Sequence, residues 1–318
     1  MSRIVRILIS IVLLALVIGF ADWQAVWKVL REVDLRWVGV VWLIAVADRM
    51  ITNYRWQILL VGRGVFVGFG RLFKVQLAAN FIGAFLPGFI GVDAVRITAL
   101  CRSGESAAPV FAATLVDRVT LAIGTLMVGA VTVIFLARER VPHGIIRFVL
   151  VLTLVAMIVM AFGMLPAVRN LMRWKILPLI PERLRHRVAE IAAASLAYRH
   201  QWRLGIEVAA VTILLFALRI VFAKAVALSC DVNVSWLDLM LVIPILWVVV
   251  MLPITVGGIG VQDAGYVVLM GLVGVAAPVA VSMSLVEHLV ARLASLPGVL
   301  FFGEVTGRTV STDIQRDT

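Results

Sequence analysis

Apolar runs long enough to cross a lipid bilayer follow one another almost without a break along this 318-residue chain. Crossing the hydrocarbon takes about 20 predominantly apolar residues in a helix. Uninterrupted runs of that kind are Ile4–Phe20, Trp37–Leu60, Pro109–Ala137, Phe148–Leu165, Gly205–Ser229 and Pro278–Phe302. Two more, Leu72–Leu100 and Leu237–Gly274, are apolar but broken by Pro and Gly. Composition agrees, with 63% hydrophobic residues, 15% charged and a mean hydropathy of +1.08. No soluble domain has room in such a chain. The expected fold class is an all-α polytopic membrane protein, one transmembrane domain over 1–318. Ile4–Phe20 follows Arg3 and Arg6 and reads as an uncleaved signal anchor.

The net charge of +11 speaks first to topology. Residues 168–204 carry Arg169, Arg173, Lys175, Arg183, Arg185, Arg187, Arg199 and Arg203 against Glu182 and Glu190. Between two spans, such a run reads as a cytoplasmic connector touching anionic lipid rather than as a nucleic-acid site. The Cys230–Trp236 connection has no Lys or Arg and is expected outside, where Cys230 would accept a thiol reagent. Counting from these anchors puts both termini in the cytoplasm of a bacterial-type inner membrane. Each broken stretch must then enter and leave by one face, as a re-entrant hairpin. Arg138, Arg140 and Arg147 fall outside in this scheme, outvoted by the stronger connector.

The resulting order is one four-element unit used twice, in residues 1–137 and 138–318. A shift of 170 positions lays Arg49 on Arg219, Asp93-Ala94 on Asp263-Ala264, and Asp117 on Glu287. Ionisable residues are scarce inside apolar segments, so this coincidence favours an inverted repeat.

The broken stretches contain Pro87, Gly88, Gly91 and Asp93 before Arg96, and Pro253, Gly257, Gly258, Gly260 and Asp263. Pro removes a backbone donor and Gly admits unusual dihedrals, so each helix is expected to stop there and restart. A restarting half-helix offers free N–H groups to an anion such as phosphate. A lone break would read as a kink; two at matching places favour a binding site. Arg49, Arg96, Arg118 and Arg219 are the basic side chains available to grip an anionic headgroup. Equally, Arg49, Arg118 and Arg219 can pair with Asp48, Asp117 or a carboxylate of the other half. Asp93, Asp117, Asp263 and Glu287 are candidate proton carriers, and Asp93 and Asp263 are candidate helix caps. Arg55 and Lys224 read as snorkelling to an interface.

Leu86-Pro87, Gly91-Val92-Asp93-Ala94-Val95-Arg96, Val116-Asp117-Arg118 and Pro253 through Asp263 together resemble the flippase-like lysylphosphatidylglycerol synthase transmembrane family, and Arg55-Trp56 fits as well. That resemblance implies a membrane domain that moves or accommodates lipids, such as aminoacylated phosphatidylglycerol or polyprenyl- and hopanoid-type lipids. The family commonly has Arg-Glu where this chain has Gln262-Asp263, so a positive charge after the Gly-rich loop is missing. Full-length synthases also carry a soluble aminoacyl-transferase domain, which the residues after Phe302 are too few to supply.

The expected function is therefore a flippase-like lipid transporter that binds a phosphate-bearing lipid between the two hairpins. The alternatives are a membrane-embedded lipid-phosphate transferase or phosphatase, and a scaffold for lipid or glycan synthesis enzymes. No nucleophile–base pair and no His/Asp spacing for a metal is evident, so neither catalysis, metal nor cofactor is expected.

Overall fold

The computed structural model describes residues 22–83, 88–136, 193–251 and 260–306, with isolated positions between 144 and 154 and at 190 and 191. All regular structure among them is helical. The first span, most of Phe148–Leu165 and of the basic connector, and Pro87, Pro253, Gly257 and Gly258 lie outside the described residues.

The helices are α1 (Trp23–Arg31), α2 (Leu35–Val61), α3 (Phe69–Gly83), α4 (Gly88–Arg102) and α5 (Ala107–Leu136). Then come α6 (Trp202–Ser229), α7 (Trp236–Met251), α8 (Val261–Gly271), α9 (Ala277–Leu293) and α10 (Phe302–Thr306). A 3-10 turn, Ala197–His200, precedes α6, and a second, Leu296–Phe301, continues α9. Three described stretches are long and apolar enough to cross a membrane: Ala107–Thr132, Trp202–Ser229 and Ala277–Phe301. The 27-residue α2 has the length but carries Asp48, Arg49 and Arg55 in its middle. Helix α1 had no counterpart in the apolar pattern. Asp22 starts it by accepting from the Gln24 and Ala25 N–H groups. Its Trp23 and Trp27 are exposed, and Arg31 stacks on Trp27, as suits a helix lying at an interface.

Four outer loops use one turn. After α2, Val65 N–H donates to Leu60 O; after α4, Glu105 to Leu100; after α6, Val232 to Ala227; after α8, Val275 to Met270. This is the six-to-one bond of a Schellman motif, which needs a residue in the left-handed region. Gly64, Gly104 and Gly274 fill that position with φ 75, 98 and 84 degrees, and Asp231 with φ 57 degrees. The bonds after α4 and α8 repeat at an offset of 170 residues, whereas those after α2 and α6 repeat at 167. Helix starts follow suit, Leu35 with Trp202 and Phe69 with Trp236 at 167, Ala107 with Ala277 at 170. Arg49 and Arg219, 170 apart, sit about one helical turn away from a 167-residue correspondence of their helices.

Helices α2 and α6 pack antiparallel along their whole length. Contacts run from Asp34 N with Ser229 O at 3.0 Å, through Arg219 with Asp48, to Gln201 Nε2 on Gly62 O at 3.0 Å. Two apolar cores flank this pair. One gathers Leu60, Val65, Leu72, Leu100 and Val110, so both outer ends of the α3–α4 pair meet there. The other gathers Val226, Val234, Leu239, Met270 and Val275, the corresponding ends of α7 and α8, at the opposite end of α2 and α6. Across the halves, α7 lies on α5, and α3 lies on the 3-10 continuation of α9.

That last contact depends on Gly298, where an added methyl would overlap the Leu77 carbonyl of α3. Backbone cannot yield as a side-chain tip can. Gly298→Ala is expected to cost about 1–3 kcal/mol and lower the thermal midpoint in detergent. Gly70→Ala, on an open stretch of α3, should leave the midpoint unchanged or raise it.

Candidate functional site

Two polar clusters sit inside the helix pack, each against α6. The first is built on Asp117 of α5. Arg55 of α2 donates Nη2 to Asp117 Oδ1 at 2.6 Å and to the Asp117 carbonyl at 2.7 Å, and Nη1 to Thr212 Oγ1 of α6 at 3.0 Å. Arg96 of α4 brings Nη1 to 3.6 Å from Asp117 Oδ2 and to 3.5 Å from Asp93 Oδ1. Its guanidinium lies 3.9 Å from the ring centre of Trp56, whose Nε1 is fixed by Thr114 at 3.2 Å. Above this, Arg118 grips Asp93 with two parallel bonds, Nε to Oδ2 at 2.6 Å and Nη2 to Oδ1 at 2.7 Å. Arg55, Arg96 and Asp117 are 0–1% exposed, while Arg118 and Asp93 are 28% and 16% exposed. The cluster thus has a sealed floor and an accessible lip.

Three guanidiniums against two carboxylates leave one positive charge over. The residues to notice are the nitrogens of Arg96, because Nε and Nη2 are buried with no hydrogen-bond partner among the described residues. A buried guanidinium N–H left unpaired is expensive, so the cluster is poised to accept oxygens from outside it.

The second cluster lies at the α8–α9 contact. Gly260, φ 85 degrees, turns the chain into α8 and donates its N–H to Asp263 Oδ2 at 2.9 Å. Asp263 is therefore a helix cap, as one of its two readings held; its other oxygen accepts from Ser284 Oγ at 2.6 Å. His288 Nε2 stands 3.2 Å from that oxygen, not aligned as a hydrogen bond. Tyr266 donates its hydroxyl to Glu287. Nearby on α6, Arg219 pairs with Asp48 at 3.0 Å and lies 4.3 Å from the Trp247 ring centre, with Nη1 unpartnered among the described residues. Thr212 and Arg219 mark the two clusters on α6, seven residues or about 10 Å apart.

Several expectations change here. Arg118 pairs with Asp93, not with the adjacent Asp117, because it points across to α4. Arg49 does not pair with Asp48; it donates to the carbonyls of Ala45 and Ala291 at 2.9 and 2.7 Å and to Ser295 Oγ at 3.0 Å, tying α2 to the end of α9. Gly91 is buried within α4 rather than in a loop. Arg55 is no snorkelling residue: it is fully buried and holds three helices together. Arg55 lies five residues before the end of its apolar run, which favoured the interface reading; the structure instead buries it against α5 and α6. Lys224 does reach an edge, bonding Asn233 in the α6–α7 loop at 2.6 Å. Trp56 entered the sequence reading only beside Arg55, and Tyr266 and Trp247 gave no signal.

Asp117→Ala should be among the most destabilising single changes, by about 3–5 kcal/mol, since it strands two buried cations. Replacing both partners, Arg55→Met with Asp117→Leu, should recover much of the loss. Thermal unfolding in one detergent compares the three proteins, and a double variant as unstable as Asp117→Ala would count against the ion-pair account.

The sequence matches the family model described as the lysylphosphatidylglycerol synthase TM region over residues 3–298. No curated protein matches it significantly. The match takes in both polar clusters and every helix up to the Leu296–Phe301 turn. The chain is a multi-pass membrane protein and belongs to the lysylphosphatidylglycerol synthase TM-region family.

Proposed function

We propose that the chain moves a phosphate-bearing lipid between the leaflets of a bacterial-type inner membrane, with the headgroup passing between the two polar clusters. The observation that carries this reading is the pair of unpartnered nitrogens on Arg96, beneath the accessible Arg118–Asp93 lip. Arginine's planar fork suits two phosphate oxygens, and a phosphate would neutralise the surplus charge. Arg219 and Arg49 serve a headgroup further along the path, and Asp93 is the acceptor that a phosphate would displace from Arg118. The N-terminal ends of α4 and α8, which follow Pro87 and Pro253, Gly257, Gly258 and Gly260 in sequence, add their positive dipole ends to the anion's surroundings.

In this reading the halves 1–137 and 138–318 form an inverted repeat, α2–α5 against α6–α9. Supporting it are the antiparallel α2–α6 pair, the matching turns, and the reciprocal packing of α7 on α5 and α3 on the end of α9. The α3–α4 and α7–α8 pairs are then re-entrant hairpins from opposite faces. The end bearing Arg63, Arg71, Lys74, Arg102 and Arg203 is cytoplasmic, as are both termini, and anionic lipid meets the 168–204 connector there. Six full spans complete the count.

Vesicles holding the purified protein and trace acyl-labelled lipids, bleached from outside, test transport. Labelled phosphatidylglycerol and polyprenyl phosphate should cross faster than in empty vesicles, and diacylglycerol should not. Arg96→Met should slow the crossing on the order of tenfold or more, the worth of charge-assisted hydrogen bonds. Equal rates with and without protein would sink the proposal. Topology needs an exposed thiol, because Cys230 is 6% exposed and burial pushes its thiol pKa up, so it reacts slowly until the pH is raised. On a Cys101→Ala background, Ser235→Cys should label with an impermeant maleimide in intact cells, and Ser106→Cys only after permeabilisation. The reverse pattern would invert the orientation.

A further inference from the structure

Five positions of the first cluster have partners 170 residues on, and the contacts repeat while the chemistry changes. Asp93 with Arg118 becomes Asp263 with His288. Arg96 beside Asp117 becomes Tyr266 bonded to Glu287. Thr114 becomes Ser284, now bonded to Asp263. Each guanidinium, which holds its proton at any working pH, is replaced by a group that can give one up. The first cluster has fixed charge; the second can change charge without moving an ion of its own.

We infer that Glu287, with Asp263 and His288 beside it, is a proton-exchange site that couples lipid movement to protons, an assignment that rests on the transport reading above. Glu287 is part-buried, and Tyr266, 1% exposed, donates its hydroxyl to it. Exchange is a plain O–H bond made and broken at Glu287, with water as the donor and acceptor. Among the described residues Glu287 has no cation within salt-bridge distance. The unpartnered Arg219 Nη1 belongs to a side chain 9% exposed and engaged elsewhere with Asp48 and Trp247. Loss of the Glu287 proton supplies a negative charge for that guanidinium to follow, and arrival of an anionic headgroup at Arg219 competes with it.

The charges facing this site are few. From α6 there is Arg219, and from α2 its partner Asp48; Arg49 of α2 is bound one turn further on, at Ala291 and Ser295. From α8 there are Asp263 and Tyr266, and from α9 His288 and Arg292, the latter bonded to the His288 carbonyl at 3.3 Å. Cys230 at the end of α6 acts on Tyr266. Helix α7 has only Asp238, at its start. Helix α1, with Lys28, Arg31 and Glu32, meets α9 near Ser282, over a turn away from Glu287.

Infrared difference spectra of the full chain in lipid nanodiscs, recorded across pH, test the site without any transport. A protonated-carboxyl C=O band should appear as the pH falls and disappear as it rises, vanish in Glu287→Gln and persist in the surface control Asp238→Asn. Tyr266→Phe keeps the carboxyl and should move the midpoint, which guards against a misfolded Glu287→Gln. A band unaffected by both changes, or no band, overturns the assignment. In lipid-transport vesicles, an imposed pH gradient should alter the wild-type rate and not that of Glu287→Gln; a response to a sodium gradient in place of protons also overturns it. If no lipid moves under any gradient, the transport reading fails, and the infrared band alone decides whether Glu287 exchanges a proton.

Discussion

The first half of the molecule hangs on the Asp117 carboxylate, which is asked to satisfy two arginines at once in a place where water cannot help. Arg55 takes one oxygen at 2.6 Å and Arg96 approaches the other at 3.6 Å. Both cations come from other helices, so one carboxylate draws α2, α4 and α5 to a common point. Hydrocarbon around these helices offers no hydrophobic gain for packing them, and polar contacts of this sort are a main source of specificity in a membrane. The same scarcity makes the arrangement incomplete. Asp117 can hold Arg96 by one nitrogen, and the ring of Trp56 covers a face of the guanidinium but accepts no hydrogen bond from its edge.

Much of this was legible in the sequence, and for a physical reason. Apolar length fixes the class, and rare charges in apolar runs must be accounted for, so Asp93, Asp117, Asp263 and Glu287 stood out before any coordinates. Which charge meets which is another matter. Asp117 and Arg118 are neighbours in sequence, yet on a helix neighbours point about 100° apart, and Arg118 finds Asp93 on α4 instead. The partners of Arg49 were hidden for a similar reason: two of its acceptors are backbone carbonyls, which every residue has and no sequence distinguishes. Turns and helix starts correspond at 170 residues for α4, α5, α8 and α9 and at 167 for the helices before them, a difference that no single shift of the sequence displays.

The two clusters also divide the labour between kinds of charge. Arginine and aspartate in the first give a field that does not vary with conditions. The second holds the Glu287 carboxyl, whose field would vary if it exchanges a proton as proposed. Placed about 10 Å apart on α6, they lie close enough for the state of one to be felt at the other through a poorly screening interior.

The three-residue difference between the halves has a consequence of its own. If the two units were interchangeable, the conformation facing one side would be the mirror in energy of the conformation facing the other, and the molecule would have no resting preference. Between matching turns the first unit, Val65 to Glu105, has three fewer residues than the second, Val232 to Val275, so on the inverted-repeat transport reading the degeneracy is lifted by chain length alone. A thermodynamic bias of that origin needs no ligand and no energy source. It would set which leaflet an empty molecule greets, and adding or deleting three residues there would be the handle by which that preference is turned.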